Sequence, residues 1–126
     1  MKENERRFTF LTGYPDSGIN DCKKTLNKKV GIITKDGKKG LINQNGGLIL
    51  NTEFNDIEVT ENYTVTLQAG IVNIYNKDNI KLTNSEIKNI YQVLPLEKDN
   101  KLYLYLTDVN ASKSVIEYNA ITKTFS

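Results

Sequence analysis

Four carboxylates, Glu53, Asp56, Glu58 and Glu61, crowd into a window, residues 41–76, that contains no lysine or arginine. Two carboxylates suffice to hydrolyse a glycosidic bond, so Glu53 or Glu58 could serve as the acid of a carboxylate-only hydrolase. Oxygen clusters can also hold calcium, but neither the twelve-residue loop spacing nor a second facing cluster accompanies this one. A solvated strand edge is the simpler reading. With no His and a single Cys, the chain excludes Ser-His-Asp triads, Cys-His dyads, four-ligand Cys or Cys/His zinc sites and internal disulfides. Cys22 lies between Asp21 and two lysines, which would favour its thiolate, yet no His stands by as a base. No metal or other cofactor is therefore expected, and the chain reads as non-catalytic.

Two further patterns point elsewhere on inspection. Lys35-Asp36-Gly37-Lys38-Lys39-Gly40 lacks the Lys-Ser/Thr ending of a phosphate loop and continues into Leu41, so it reads as a hairpin tip with solvated lysines. The cluster Gly13-Tyr14-Pro15-Asp16-Ser17-Gly18 is turn chemistry, a connector or a ligand loop. Tyr63, Tyr75, Tyr91, Tyr103, Tyr105 and Tyr118 alternate with lysines and could stack bases of single-stranded nucleic acid. Neither OB nor RRM signatures appear, and Tyr is favoured in half-buried strands for packing alone.

The elements that must carry these groups are strands. At 126 residues and 38% hydrophobic, the chain suits a single domain over 1–126. Its apolar residues recur mostly with a period of two. Apolar runs at 30–34, 40–43 and 48–50 are separated by Asp36-Gly37 and Asn45-Gly46. Such pairs signal type I′ hairpins, which need positive φ at both central residues. A strand at 63–67 should bury one face. A second hairpin joins 70–75 to 80–82 across Asn76-Lys77-Asp78-Asn79, and 102–106 pairs with 114–118 before 121–125 closes the chain. Residues 21–28 could form one or two exposed helical turns. Residues 85–94 combine a capping Ser with helical apolar spacing, but their Ile and Val content and Pro95 leave helix and strand both open. The fold expected is all-β or nearly so: antiparallel hairpins and meanders in a small sandwich or open barrel, with at most one short helix.

The hairpins repeat. Gly40-Leu41-Ile42-Asn43, a turn, Leu48-Ile49-Leu50 and Phe54-Asn55-Asp56-Ile57 match Gly70-Ile71-Val72-Asn73, a turn, Ile80-Lys81-Leu82 and Ile87-Lys88-Asn89-Ile90. A degenerate third copy starts at Leu102, giving units of about 40–69, 70–101 and 102–126. Residues 31–57 resemble a WG (KWG) repeat, in which a Trp-Gly pair opens a Gly-Leu-Ile-Asp strand and a Tyr/Phe-Asp-x-Ile element follows. Residues 68–91 match more loosely. Lys39 and the pair Gln68-Ala69 stand where the family has Trp, and the family's proline is missing near Asn51-Thr52. The resemblance implies a β-rich repeat module used for binding or structure, with no catalytic residues to transfer.

Charge and length set the remaining expectations. Residues 1–40 carry ten basic and five acidic groups, against none and four in residues 41–76. No apolar run approaches the roughly 20 residues that span a bilayer, and Phe8-Thr9-Phe10-Leu11 is too short for a signal-peptide core. A cytoplasmic protein without membrane association is expected. The function expected is protein binding, for example by an intracellular inhibitor or immunity-type protein. Glu53, Asp56, Glu58, Glu61, Tyr63 and Tyr75 would then face another, basic protein. A carboxylate hydrolase and a single-stranded nucleic-acid binder are the alternatives, and homodimerisation through exposed strands is a third.

Overall fold

The computed structural model describes residues 19–25, 29–83 and 87–126, with backbone alone for 19–24. These residues form strands β1 (Ile19–Lys24), β2 (Val30–Lys35), β3 (Lys38–Asn43), β4 (Leu48–Phe54), β5 (Asp56–Val59), β6 (Tyr63–Gln68), β7 (Ile71–Asn76), β8 (Ile90–Lys98), β9 (Lys101–Asp108), β10 (Lys113–Asn119) and β11 (Thr124–Phe125). No helix occurs among them. The strands make three hairpin-connected sheets, ordered β1-β2-β3-β4, β5-β6-β7 and β11-β10-β9-β8. The all-β expectation therefore holds, and none of the sheets closes into a barrel.

The chain divides into two compact units, Met1–Ile57 and Glu58–Ser126. In the first, Ile32, Ile33, Leu41, Ile42, Phe54 and Ile57 are buried. In the second, β6 and β7 share one core with the third sheet: Val65, Leu67, Val72 and Ile74 pack with Val93, Leu102, Leu104 and Leu106. Alternation explains β9, whose even residues Leu102, Leu104 and Leu106 are buried while Tyr103 and Tyr105 are not. β6 departs from it. Residues 63–67 are buried on both faces, Thr64 and Thr66 included, so the expected solvated face does not exist. Thr66 Oγ1 is buried without a hydrogen-bond partner among the described residues. An unsatisfied buried hydroxyl costs about 1 to 3 kcal/mol, so Thr66→Val, which has the same shape, is expected to stabilise the chain by about 1 kcal/mol in urea denaturation.

Two turn devices alternate along the chain. The first is a two-residue turn with positive φ at both positions: Asp36 and Gly37, Ala69 and Gly70, Asp99 and Asn100. The second is closed by a side chain. Asn43 Oδ1 accepts from the amides of Asn45 and Gly47 at 2.9 and 2.8 Å. Asn76 Oδ1 accepts from Asp78 and Ile80 at 2.9 and 3.0 Å. Asp108 Oδ1 accepts from Asn110 and Ser112 at 2.8 and 2.9 Å. Three residues after each of these Asx residues, Gly46, Asn79 and Ala111 take positive φ and donate their N–H back to the Asx carbonyl. This is a type I turn with a bulge, so Asn45-Gly46 does not form the type I′ turn its dipeptide suggests. β3, β7 and β9 each run from a turn of the first kind to one of the second.

Turns of the same geometry thus recur along the chain, offset by three residues from the sequence alignment of the hairpins. Turn by turn, Gly37 corresponds to Gly70 and Asn43 to Asn76, whereas the sequence match aligns Gly40 with Gly70. The second hairpin is also looser than expected. Its return is held by the isolated bridges Tyr75↔Lys81 and Val72↔Ile87 rather than by a full strand.

The helical turns expected within 21–28 do not form where the structure describes them, and the choice left open at 85–94 resolves to strand from residue 90 onward. Residues 21–24 lie in β1, with Cys22 opposite Ile33; residues 26–28 lie outside the described residues. Residues 90–94 belong to β8, which runs straight through Pro95; residues 84–86 lie outside the described set. Pro95 fits because β8 is the last strand of its sheet. The Lys98↔Lys101 pair across the two-residue turn sets the hydrogen-bonding alternation, which leaves the nitrogen of residue 95 on the side away from β9.

Candidate functional site

The residues of the acidic window are divided between the two units. Glu53 and Asp56 belong to the first unit, and Glu58, Glu61, Tyr63 and Tyr75 to the second. Glu53 and Glu61 are exposed, Asp56 and Glu58 are half-buried, and Asp56 Oδ1 accepts the Ile57 N–H at 2.9 Å. Tyr75 is half-buried on β7. Tyr63 is a core residue: its ring meets Tyr118 edge-on at 6.0 Å, and Tyr118 in turn packs on Phe125 at 4.8 Å. The 13–18 turn cluster and the Cys22 side chain lie outside what the structure describes. Among the described residues no group of three Cys, Asp or Glu side chains is disposed to hold a metal ion.

Tyr63 sits beside a polar clasp. At the turn after β5, Thr60 Oγ1 accepts the Tyr63 N–H at 3.2 Å. The Glu97 carboxylate accepts from both the backbone N–H (3.1 Å) and the side-chain amide of Asn62, tying that turn to β8. Burial pushes the Tyr63 phenol above its ordinary pKa of 10.0, and the charges of Glu97 and Tyr118 push the same way. The unfolded phenol therefore ionises first as pH rises. The contribution of Tyr63 is complete below about pH 10 and is lost between there and its raised folded value. Urea denaturation across this window is expected to show an alkaline loss of stability that is smaller in Tyr63→Phe; equal losses would contradict the assignment.

The side of the third sheet away from the core offers a different surface. Register places Leu94, Tyr105 and Val115 in one row across β8, β9 and β10, and Leu96, Tyr103 and Glu117 in the next. Leu94, Leu96, Tyr105 and Val115 are 50%, 48%, 48% and 54% exposed, and Tyr103 is half-buried. Together they make an apolar patch on the order of 300 Å², a size at which the largest patch of a monomer is often functional. Lys101 Nζ meets Glu117 Oε2 at 3.3 Å across this face, and Lys113 Nζ donates to Thr107 Oγ1 at 2.9 Å. β11 pairs only with Tyr118 and Asn119, so the outer edge of β10 near Val115 borders the same patch.

Sequence reasoning named Tyr103 and Tyr105 as packing residues or as base-stacking groups for nucleic acid, and did not single out Leu94, Leu96 or Val115 as surface groups. A signal was there: in β9 both alternating sets are large, Leu on one and Tyr on the other, so whichever set faced the core would leave the other outside.

No family model and no curated protein matches the chain. Among solved structures it is similar to Hsv2 of Kluyvelomyces marxianus, at 9% identity over 83% of this chain and 46% of that one, with a TM-score of 0.39. It is similar also to Hsv2p of Kluyveromyces lactis, at 9% identity over 82% of this chain and 43% of that one, with a TM-score of 0.40. The chain spans less than half the length of these solved chains. No helix among the described residues is long and apolar enough to cross a membrane.

Proposed function

We propose that the chain is a non-catalytic protein-binding module that docks its partner on the outer face of β8, β9 and β10. The observation that carries this reading is the pair of adjacent cross-strand rows holding Leu94, Tyr105, Val115, Leu96 and Tyr103. Large aromatic and aliphatic side chains on a hydrogen-bonded sheet lose little conformational freedom on binding and bury much area, which is the composition of interface centres. The recurring Asx-closed hairpins support reading the chain as a scaffold of similar hairpins, whose function lies in the surface it displays.

The test is affinity capture of the tagged chain from its native cell, repeated with Tyr105→Glu, with Leu94→Ser and with the Glu53→Lys/Glu58→Lys double variant. The expected result is a reproducible partner retained by the wild-type chain and by the double variant and lost from both face variants. A partner indifferent to the face variants but lost on charge reversal would move the interface to the acidic window.

A further inference from the structure

The face is not electrically neutral. Register sets Lys98 opposite Lys101 at one end of the apolar rows and Thr107 opposite Lys113 at the other, so cations flank the patch at both ends. Glu117, the carboxylate within these rows, is answered by Lys101 at 3.3 Å. Of the carboxylates in the adjoining turns, Asp108 is committed to the amides of Asn110 and Ser112, and Asp99 stands beyond Lys98 and Lys101 at a turn tip. Within the rows themselves three lysines, Lys98, Lys101 and Lys113, stand against the single carboxylate of Glu117, while Asp99 and Asp108 keep their charges in the turns outside them.

Resting on the protein-binding function above, we infer that the partner presents an apolar patch bordered by carboxylates. The apolar centre supplies most of the affinity, and the flanking lysines supply the steering and the choice among partners. A second copy of this chain is the wrong occupant, because an isologous contact would set the same lysine surplus on both sides. A basic partner is disfavoured at this face for the same reason. The lysine stems add to the match, since each can lie along apolar surface while its ammonium reaches a rim carboxylate.

Random peptides displayed on phage, selected on the full-length chain and counter-selected on Tyr105→Glu, test the inference. Face-dependent binders are expected to carry apolar residues flanked by Asp and Glu. A synthetic peptide of the selected sequence should bind Lys98→Glu/Lys113→Glu about tenfold more weakly than the wild-type chain at low salt, and the difference should shrink at high salt. Face-dependent binders with neutral or basic flanks, or an affinity unmoved by the lysine substitutions, would overturn the acidic partner while leaving a protein-binding face. Failure to recover any binder sensitive to Tyr105→Glu or to Leu94→Ser would overturn both.

Discussion

Leu104→Ala is expected to destabilise the chain by about 3 to 4 kcal/mol, the range for a leucine removed from a site that cannot collapse. Leu104 is fully buried at the middle of β9, which is paired along its length with β8 on one side and β10 on the other. Its cross-strand neighbours are Pro95 and Ile116, and it faces the core that β6 and β7 complete. Few of these atoms can move into the space left, because each belongs to a paired strand. A loss this size is a large fraction of the stability of an ordinary domain. The matching control is Leu94→Ala on the opposite face, expected to cost less than about 1 kcal/mol because only cross-strand contact is lost. Urea denaturation of both variants checks the sidedness of the sheet. Similar losses would mean that the outer face is a second core.

Gly40→Ala is expected to cost about 2 to 3 kcal/mol, for a steric reason. A Cβ at residue 40 would lie 2.7 Å from the Leu50 carbonyl oxygen, 2.9 Å from Thr52 Cγ2 and 3.0 Å from the Asn51 carbonyl carbon. Two of these atoms are backbone, held where β4 bulges against β3, so relief requires the strands to separate. Gly37 makes the contrast. It has nothing near its missing Cβ but holds φ at +78°, so Gly37→Ala should cost only about 1 kcal/mol. Thermal unfolding of the two variants orders them, and a milder effect at Gly40 would contradict the close approach.

These two glycines also show why the architecture was more legible than the repeat register. Period-two patterning and turn dipeptides are local, and they located β2, β3, β4, β6, β7, β9 and β10 from residue types alone. The register depended on equating glycines, and Gly40 and Gly70 serve different needs: the first admits a neighbouring backbone, the second turns the chain. The Asx residues were the better markers. Asn43, Asn76 and Asp108 share one geometry, yet Asp differs from Asn by name, and Ala111 takes the positive φ that Gly46 takes in the first copy. β8 was obscured because Ser85, Ile87, Ile90 and Leu94 mimic a helical face, while edge placement, a tertiary fact, makes Pro95 harmless in a strand.

The site was less legible than the fold. Charge asymmetry drew attention to 53–61, but net charge says nothing about which side chains converge, and Tyr63 is sequestered in the core. Which set of β9 side chains faces solvent depends on where β6 and β7 pack, and no local pattern encodes that. The surface emerged only when three strands from 90–119 were placed in register.

Hydrogen–deuterium exchange of the wild-type chain, alone and saturated with the partner recovered by capture, tests the central claim most directly. Docking on the outer face predicts slowed exchange at residues 94–96, 103–105 and 113–116, with 53–75 unchanged. Slowing confined to 53–75 would contradict it.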